Sequence, residues 1–559
     1  MNYNEATRRF VNLHLDDDVR QLALQYSAHR SSSSDKGEGG GDGDVDLPFA
    51  LDQIRGRQIA RRKLPTWAAI DGILYPPHLS MEQCSSEQTA RYKASIVERL
   101  VNNSLPTGEG RGGASLPTGA TGVFRAATDV AAAPQRGANP HSRRRATWGW
   151  ASFTDLTGGF GVDFSFMAQA FHTTLSTQSP AKSFYVERNP QLCDLAQHNF
   201  QLLGLHNTEV VCSTTEDFLN TLWRNKKASP AGGGLEGAEA SPTGGGLVGA
   251  EASPTGGGLE GATIIYLDPA RRDDHGGRTY GIADCTPNVL ELRDTLLAKS
   301  DYVLLKLSPM LDWRKAVSDL GEDYVCEVHI VSVRNECKEL LIVMQKPSDN
   351  VLEQKQKSLF CVNDQQLFTV QSPSLLDSSS GILSPSLLGR LGSLEQPPMW
   401  LRPHKGERIP IRDGGQAGVG LPSLLGRSGG ALYEPNASIM KAGCFHELCE
   451  QFGLVPVGPN SHLFVRNPDI AEPPCMSADK DFPGRVFQIS AISSMNKRSL
   501  RQNLQGITQA NISTRNFPLK PEELRRRLKL RDGGDTYLFG TTLSDGSHVI
   551  LICKKWENR

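Results

Sequence analysis

Between Trp148 and Met344 the chain alternates short β-rich runs with helical ones: WASFTDL, SFYVE, EVVCS, TIIYLD and DYVLLKLS, then VCEVHIVSV and ELLIVM. Parallel neighbours need a crossover of a dozen residues or more, usually a helix, so this alternation predicts a mostly parallel, doubly wound α/β sheet. The last two runs are separated only by RNECK, too short for a crossover. They predict an antiparallel hairpin at one sheet edge.

Low-complexity segments set the boundaries around this core. Residues 228–263 read ASPAGGGLEGAE, ASPTGGGLVGAE, ASPTGGGLEGAT, three copies of a twelve-residue unit too poor in apolar side chains to bury anything. Similar Gly, Ser and Pro enrichment marks 31–45, 104–140, 372–394 and 413–430, and SPSLLGR at 384–390 returns as LPSLLGR at 421–427. The organisation that follows is an N-terminal helical region over 1–102, a low-complexity linker over 103–147, the α/β domain over 148–346 with an insert at 228–262, a small α+β domain over 358–470, and a compact module over 484–556. Ser80 and Gln83 in SMEQ form a capping-box pattern and predict a helix from about 81 to 102. The last module reads strand RVFQISAI, helix MNKRSLRQNL, strand ITQANIS, helix PEELRRRLKL, and a hairpin turning at SDGS.

Lys plus Arg (60) and Asp plus Glu (61) nearly cancel, so no global positive field draws in a polyanion and any nucleic-acid surface must be local. The eleven cysteines contain no CxxC pair, which argues for reduced thiols rather than a disulfide framework or a zinc site. Cys444, His446 and Cys449 are the tightest group, and they suit a buried helix face better than half a metal site. No metal is expected. The polar start MNYNEATRRF and the lack of any run of eighteen apolar residues predict neither a signal peptide nor a membrane span, and place the protein in the cytoplasm.

The chemistry concentrates in FTDLTGGFG, directly after a predicted strand and before the helical run VDFSFMAQAF. Asp155 ends the strand, and Gly158, Gly159 and Gly161 let the backbone turn sharply and approach a ligand closely. The next strand, SFYVE, finishes on Glu187, where a carboxylate can accept hydrogen bonds from both ribose hydroxyls of an adenosine. A dinucleotide fingerprint would want glycine where Phe164 stands, and a phosphate-binding loop would end in Gly-Lys-Ser/Thr, which is absent. S-adenosylmethionine (AdoMet), which lacks phosphates, suits the loop better. A tight strand-to-helix turn without cofactor is the competing reading. TIIYLDPARRDD then delivers Asp268 and Pro269 to the carboxyl edge of the sheet, where ligands bind in this architecture. There a carboxylate and a neighbouring carbonyl can hold an exocyclic amine by its hydrogens, with the nitrogen lone pair aimed at a methyl donor. An aspartate that merely caps the next turn is the alternative. Cys285 and Cys337 lack the neighbourhood of a catalytic nucleophile.

The combination of DLTGGFG, YVERNP, LDPARR, LKLSPMLD and VRNECKEL, with the upstream LPFALDQIRGRQIARRKLPTW and LSMEQCSSEQTARYK, resembles a bacterial group of class I AdoMet-dependent methyltransferases that carry a ferredoxin-like domain and a C-terminal THUMP-like domain. The resemblance implies a Rossmann-like methyltransferase sheet with an N-terminal helical region and two smaller α+β domains. It also implies AdoMet bound at Asp155, Gly158, Gly159, Gly161 and Glu187, a methyl acceptor near Asp268, and RNA as substrate, either rRNA or tRNA. Amine methyltransferases usually follow the acidic residue with Pro, Pro and an aromatic, whereas Ala270 and Arg271 follow Pro269 here. Arg271 and Arg272 are candidates for holding phosphate or stacking on a base, or for a surface ion pair. Asp217, in CSTTEDFL, is the candidate for the adenine-side acid.

A second basic group lies in the last module: Lys497 and Arg498 on one predicted helix, and Arg525, Arg526, Arg527 and Lys529 on and after the next. It is either a phosphate-tracking face or a solvated face balanced by Glu522 and Glu523. The leading expectation is an enzyme that methylates a nucleobase nitrogen in RNA. The alternatives are an AdoMet-dependent methyltransferase acting on a protein or small molecule, and a non-catalytic RNA-binding protein with a degenerate core.

The glycine-rich composition of 228–262 cannot offset ordering entropy. Replacing it with a short Gly-Ser linker is expected to leave the melting temperature within about 2 °C of the parent, the scale of a change away from any packed feature. A larger drop in a thermal melt would make the segment structural.

Overall fold

The computed structural model describes residues 4–32, 45–104, 151–175, 181–227, 262–270, 281–347, 357–371, 430–466 and 481–556. The repeat insert up to residue 261 and the 105–150 linker lie outside the described residues. Two compact units divide the chain after Leu307, with residues 343–347 belonging to the first.

In the first unit, β1 (Ala151–Asp155), β2 (Ala181–Glu187), β3 (Thr208–Cys212), β4 (Ala262–Leu267) and β5 (Ser300–Leu307) form a sheet in the order β3-β2-β1-β4-β5. Every pairing among them is parallel. The chain winds outward from β1 to β3 and then returns to the other side of β1 for β4, so the strand order reverses between β1 and β4. At such a switch point the following loops diverge and leave a crevice at the carboxyl edge.

Among the described residues six helices precede the sheet: α1 (Glu5–Leu13), α2 (Val19–Ser32), α3 (Leu47–Lys63), α4 (Pro65–Ala68), α5 (His78–Gln83) and α6 (Glu87–Ser104). Helix α7 (Val162–Leu175), after β1, is apolar over most of its surface, and Val162, Phe164, Phe166, Met167, Ala168 and Phe171 are all buried. A helix apolar all round must be covered on both sides. The sheet covers one side, where Phe164 and Phe171 pack on Phe153 of β1. The N-terminal helices cover the other, joining Trp67, Tyr75, Met81 and Ala90 to Phe160, Val162 and Phe166 in one cluster. Asn199 of α8 (Pro190–Leu202) ties the same region down by exchanging two hydrogen bonds with the backbone of Leu74, at 2.9 and 2.8 Å.

The helix expected over 81–102 is two helices. Ser80 lies inside α5, with its N–H on the Pro77 carbonyl, and Cys84 is extended (φ −64°, ψ 156°). Ser86 starts α6, its carbonyl accepting from Ala90 and its hydroxyl from the Thr89 N–H. The break leaves Ser85 turned inward, which matters for the site below. Helices α9 (Thr215–Lys227) and α10 (Val289–Lys299) follow β3 and β4 in this unit.

In the second unit, α11 (Trp313–Leu320) leads into β6 (Val325–Val333) and β7 (Glu336–Met344). Arg334 and Asn335, the two turn residues, both have positive φ (52° and 62°), the geometry of a tight hairpin turn. Strands β8 (Ser358–Asn363) and β9 (Gln366–Gln371) extend this sheet in the order β7-β6-β8-β9, β8 running parallel to β6. Within the stretch 358–470, expected as a small α+β domain, the first hairpin pairs with β6 and the later strands join the C-terminal sheet. A parallel β6 to β8 ladder satisfies backbone groups that a free-standing hairpin would leave to solvent.

The C-terminal sheet has the order β11-β12-β10-β13-β16-β15-β14. It combines β10 (Ala431–Pro435), β11 (Leu454–Pro456) and β12 (Phe464–Arg466) with β13 (Gly484–Ser494), β14 (Asn511–Arg515), β15 (Thr536–Thr542) and β16 (His548–Lys555). Helices α12 (Ala437–Ala442) and α13 (Phe445–Phe452) lie between β10 and β11, while α14 (Lys497–Asn503) and α15 (Pro521–Leu528) follow β13 and β14. Alternation along β16 separates two cores: Val549, Leu551 and Cys553 pack with Leu432, Val457 and Leu463, whereas Ile550 and Ile552 pack with Leu500 of α14 and Leu524 of α15. Both basic helices therefore cover one face. Among the described residues no helix is long and apolar enough to cross a membrane.

Gly458 marks where the block ending at β12 is pressed onto the block starting at β13, because a Cβ there would lie 2.0 Å from the Thr542 carbonyl oxygen. Gly458→Ala must displace backbone and is expected to cost about 1–3 kcal/mol, the usual penalty of overpacking. Chemical denaturation would detect it, and an unchanged midpoint would mean that the two blocks are not packed as one body.

Candidate functional site

The carboxyl ends of β1 and β4 meet at the switch point. Asp155 pairs in register with Tyr266, so Asp268, two residues on, leaves the sheet beside the start of the glycine loop. Thr157 fastens the two ends: the Asp268 N–H donates to its hydroxyl at 2.6 Å, and its own N–H donates to Asp155 Oδ1 at 2.9 Å. Thr157 was not singled out from sequence.

The loop itself is held against β2. The Gly158 N–H donates to the Val186 carbonyl at 2.9 Å, and a Cβ on Gly158 would fall 2.2 Å from the Tyr185 ring. Gly159 (φ +57°) and Gly161 (φ +85°) adopt the left-handed backbone that glycine alone accepts freely. Tyr185 donates its hydroxyl to the Gly159 carbonyl, and burial pushes its phenol well up, so it stays a donor. Glu187 receives the Gly159 N–H on Oε2 and the Asn189 N–H on Oε1, both at 2.8 Å. Each oxygen keeps a further lone pair for a ligand. Thr215, at the start of α9, closes the third side by donating its hydroxyl to the Leu156 carbonyl at 2.8 Å.

Asp155 is 1% exposed. Burial pushes its carboxyl well above the ordinary value; the Thr157 N–H opposes this, and the nearby carboxylates of Asp163, Asp268 and Glu187 add to it. Negative charge accumulates here, which favours a cationic ligand group over an anionic one.

Behind Asp268 lies a buried ionic cluster. Lys306 of β5 donates from Nζ to Asp268 Oδ2 at 2.7 Å and to Ser85 Oγ at 3.1 Å, and stands 3.6 Å from Asp163 Oδ2. Asp163, in the first turn of α7, also pairs with Lys93 of α6 at 3.1 Å and accepts from Ser85 and Tyr266 at 2.7 and 2.9 Å. Burial raises the Asp163 carboxyl, but the two ammonium groups and the hydrogen bonds outweigh it and hold the carboxyl below its usual range. Two cations and two anions balance, the arrangement a buried charge requires. Sequence reasoning passed over this cluster, although a lysine inside the apolar run DYVLLKLS and another on the buried face of α6 are its visible signals.

The other sequence candidates make contacts of their own or lie outside the described residues. Asp217 exchanges hydrogen bonds with Thr214, accepting its hydroxyl at 2.8 Å and donating its N–H back at 3.1 Å, as a capping residue of α9 does. Pro269 follows Asp268 and is buried, whereas Arg271 and Arg272 lie outside the described residues. Cys285 is buried, and Cys337 donates its thiol to the Ala437 carbonyl. In the second unit Arg525 is committed, to the Ala510 carbonyl at 2.9 Å and to Asp532 at 2.7 Å. Lys497, Arg498, Arg526, Arg527 and Lys529 are exposed.

Comparison with known proteins places these features. The family model for a THUMP domain-like region matches residues 484–555, and that for a ferredoxin-like domain matches 432–473. No curated protein matches the chain. Among solved structures, the chain is similar over 100% of both lengths to a candidate methyltransferase from Porphyromonas gingivalis, at 24% identity with a TM-score of 0.60. It is also similar to a candidate class I S-adenosylmethionine-dependent methyltransferase from Listeria monocytogenes, at 10% identity, covering 70% of this chain and 98% of that one with a TM-score of 0.27. An rRNA methylase from Streptococcus thermophilus is 12% identical, with 36% of this chain and 89% of that one covered and a TM-score of 0.22. The chain has the class I methyltransferase fold, with ferredoxin-like and THUMP-like regions after it.

Proposed function

We propose that the chain is a cytoplasmic AdoMet-dependent methyltransferase that modifies a nucleobase nitrogen in RNA, either rRNA or tRNA. The observation that carries this reading is the cradle at the β1/β4 switch point, with Asp155, Gly158, Gly159, Gly161 and Glu187 on one side and Asp268 on the other.

The residues fit the cofactor. The glycine loop, where Gly158 is already in contact with Tyr185, brings bare backbone to the crevice. Glu187 offers its remaining lone pairs to the two ribose hydroxyls, and the electronegative surroundings of Asp155 suit the ammonium of the methionine part. When bound, AdoMet supplies an electrophilic methyl group on a sulfonium. Asp268 Oδ2 is taken by Lys306, and among the described residues Oδ1 accepts no hydrogen bond, so Oδ1 is the acceptor for an exocyclic N–H. An amine already owns its lone pair, and orientation is what the protein must provide. Pro269 shapes the turn behind Asp268, and Asp217 borders the adenine side.

RNA enters through the basic residues. Lys497, Arg498, Arg526, Arg527 and Lys529 come from two helices packed on one face of the C-terminal sheet, within the THUMP-like region. Arg525 supports them from beneath, and Arg271 and Arg272 follow Pro269 in the chain.

Asp155→Ala and Glu187→Ala are each expected to weaken AdoMet binding about ten- to a hundredfold, the loss of one charged hydrogen-bonding partner. Because the Asp155 carboxyl is raised and its ionised form favours a cation, affinity should begin to fall, as pH decreases, above the ordinary carboxylate range of about 4. Asp268→Ala should keep cofactor affinity and lose about a hundredfold in single-turnover methyl transfer. Calorimetry beside transfer from labelled AdoMet to RNA from cells lacking the gene checks all three. Unchanged affinity in both cofactor variants would remove the assignment, and a parent that binds AdoMet but labels no RNA fraction would favour a non-catalytic RNA-binding protein.

Reversing Arg526, Arg527 and Lys529 to Glu is expected to reduce RNA affinity and to flatten the slope of log affinity against log salt by roughly 0.7 to 0.9 for each phosphate that is no longer neutralised. AdoMet affinity should not change. An unaltered slope in a salt titration would make these helices a solvated face.

A further inference from the structure

The buried cluster behind Asp268 has a role that goes beyond balancing charge. The geometry points to Lys306 as a positioning residue for the acceptor carboxylate, itself held in place by Asp163, Ser85 and Lys93. This inference rests on Asp268 being the acceptor-side group.

An ammonium has three protons to donate. Lys306 Nζ donates to Asp268 Oδ2 at 2.7 Å and to Ser85 Oγ at 3.1 Å, and stands 3.6 Å from Asp163 Oδ2, on a side chain only 9% exposed. These contacts hold Nζ, and Nζ in turn fixes one oxygen of Asp268. The Asp268 backbone is pinned separately by Thr157. With Oδ2 and the backbone both anchored, rotation of the carboxylate is stopped, and Oδ1 is the oxygen left to face a ligand from a side chain that is 34% exposed.

Lys306 does not hold itself. Asp163 is shared between it and Lys93, which is fully buried, and Asp163 also takes the hydroxyls of Ser85 and Tyr266. Lys93 donates to Ser85 as well, at 3.1 Å. Three of these groups come from outside the β-sheet: Ser85 from the break between α5 and α6, Lys93 from α6, and Asp163 from α7. The N-terminal helical region thereby reaches the reacting edge of the sheet through a continuous chain of charged hydrogen bonds, which are shorter and stronger than neutral ones. The break at Cys84–Ser86 gains a reason, because an unbroken helix would not turn Ser85 into this cluster.

The test uses the full chain with Lys306→Met, which removes the charge and keeps the length of the side chain, and Lys306→Arg, which keeps the charge. In Lys306→Met, single-turnover transfer at saturating AdoMet should fall about a hundredfold, the effect of misplacing a reacting group by about 1 Å, with AdoMet affinity and the KM for RNA unchanged. Lys306→Arg should lose less. The double variant Lys306→Met/Asp268→Asn should be no slower than Asp268→Asn alone, because a residue that acts through Asp268 has nothing left to position. Losses that multiply in the double variant would overturn the proposal by showing that Lys306 acts on the acceptor independently. A crystal structure of Lys306→Met gives a readout that needs no acceptor. A rotated or disordered Asp268 carboxylate supports the positioning role, whereas an unmoved one overturns it. Failure of the parent to methylate RNA would count against the functional reading alone, and the crystal structure would still decide the role of Lys306.

Discussion

The parallel register of β1 against β4 is the constraint on which the first unit depends. It sets Phe153 beside Ile264 and Asp155 beside Tyr266, so that two strands distant in sequence end at the same edge. From there Asp155 caps one side of the crevice and Asp268 the other, with Thr157 bonded to both. A slip of one residue would turn Asp155 to the opposite face of the sheet. Burial of Phe153 at 0% exposure makes such a slip costly, because the same slip would bring a core aromatic toward the wrong side.

Placing four carboxylates around one loop is unfavourable unless something offsets them, and the molecule resolves the conflict in two ways. Asp163 and Asp268 are compensated by Lys93 and Lys306, at a desolvation cost that close approach and hydroxyl donors reduce. Among the described residues Asp155 has no cation as a hydrogen-bonding partner, and its carboxyl is driven upward instead. Neighbouring carboxylates are thus pushed in opposite directions, Asp163 down and Asp155 up. The N-terminal helices are necessary to it, since they supply both Lys93 and the apolar cover of α7 that keeps water from screening the charges.

The second unit follows a different logic, in which strand pairing joins segments that stand apart along the chain. Residues 467–483 separate β12 from β13, yet β10 pairs along its whole length with β13. Glu434 reinforces the joint, taking Arg485 at 2.5 Å and Arg515 at 3.2 Å from a nearly buried carboxylate. On one face of the resulting sheet, side chains of β10 and β12 join Val457, Leu463 and those of β13, β15 and β16 in one core, and the other face is covered by α14 and α15, which is why the exposed basic residues gather on a single side.

Much of this was legible in the chain. The alternation of apolar runs specified a parallel sheet because strand and helix periods are local properties, and the glycine loop with Glu187 was visible because only glycine tolerates the backbone found at 159 and 161. The strands and helices of the last module were equally plain. What sequence alone could not decide were the partners. That Ser85, Lys93, Asp163 and Lys306 converge on Asp268, that Asp217 turns back to Thr214, that Arg525 is tied to Asp532, and that the 358–371 hairpin pairs with β6 all depend on which residues distant in sequence become neighbours in space. Local patterning determined where strands end and where the backbone could bend. Tertiary packing decided which charges face one another, because the energy of a buried ion lies in its surroundings rather than in its own position along the chain.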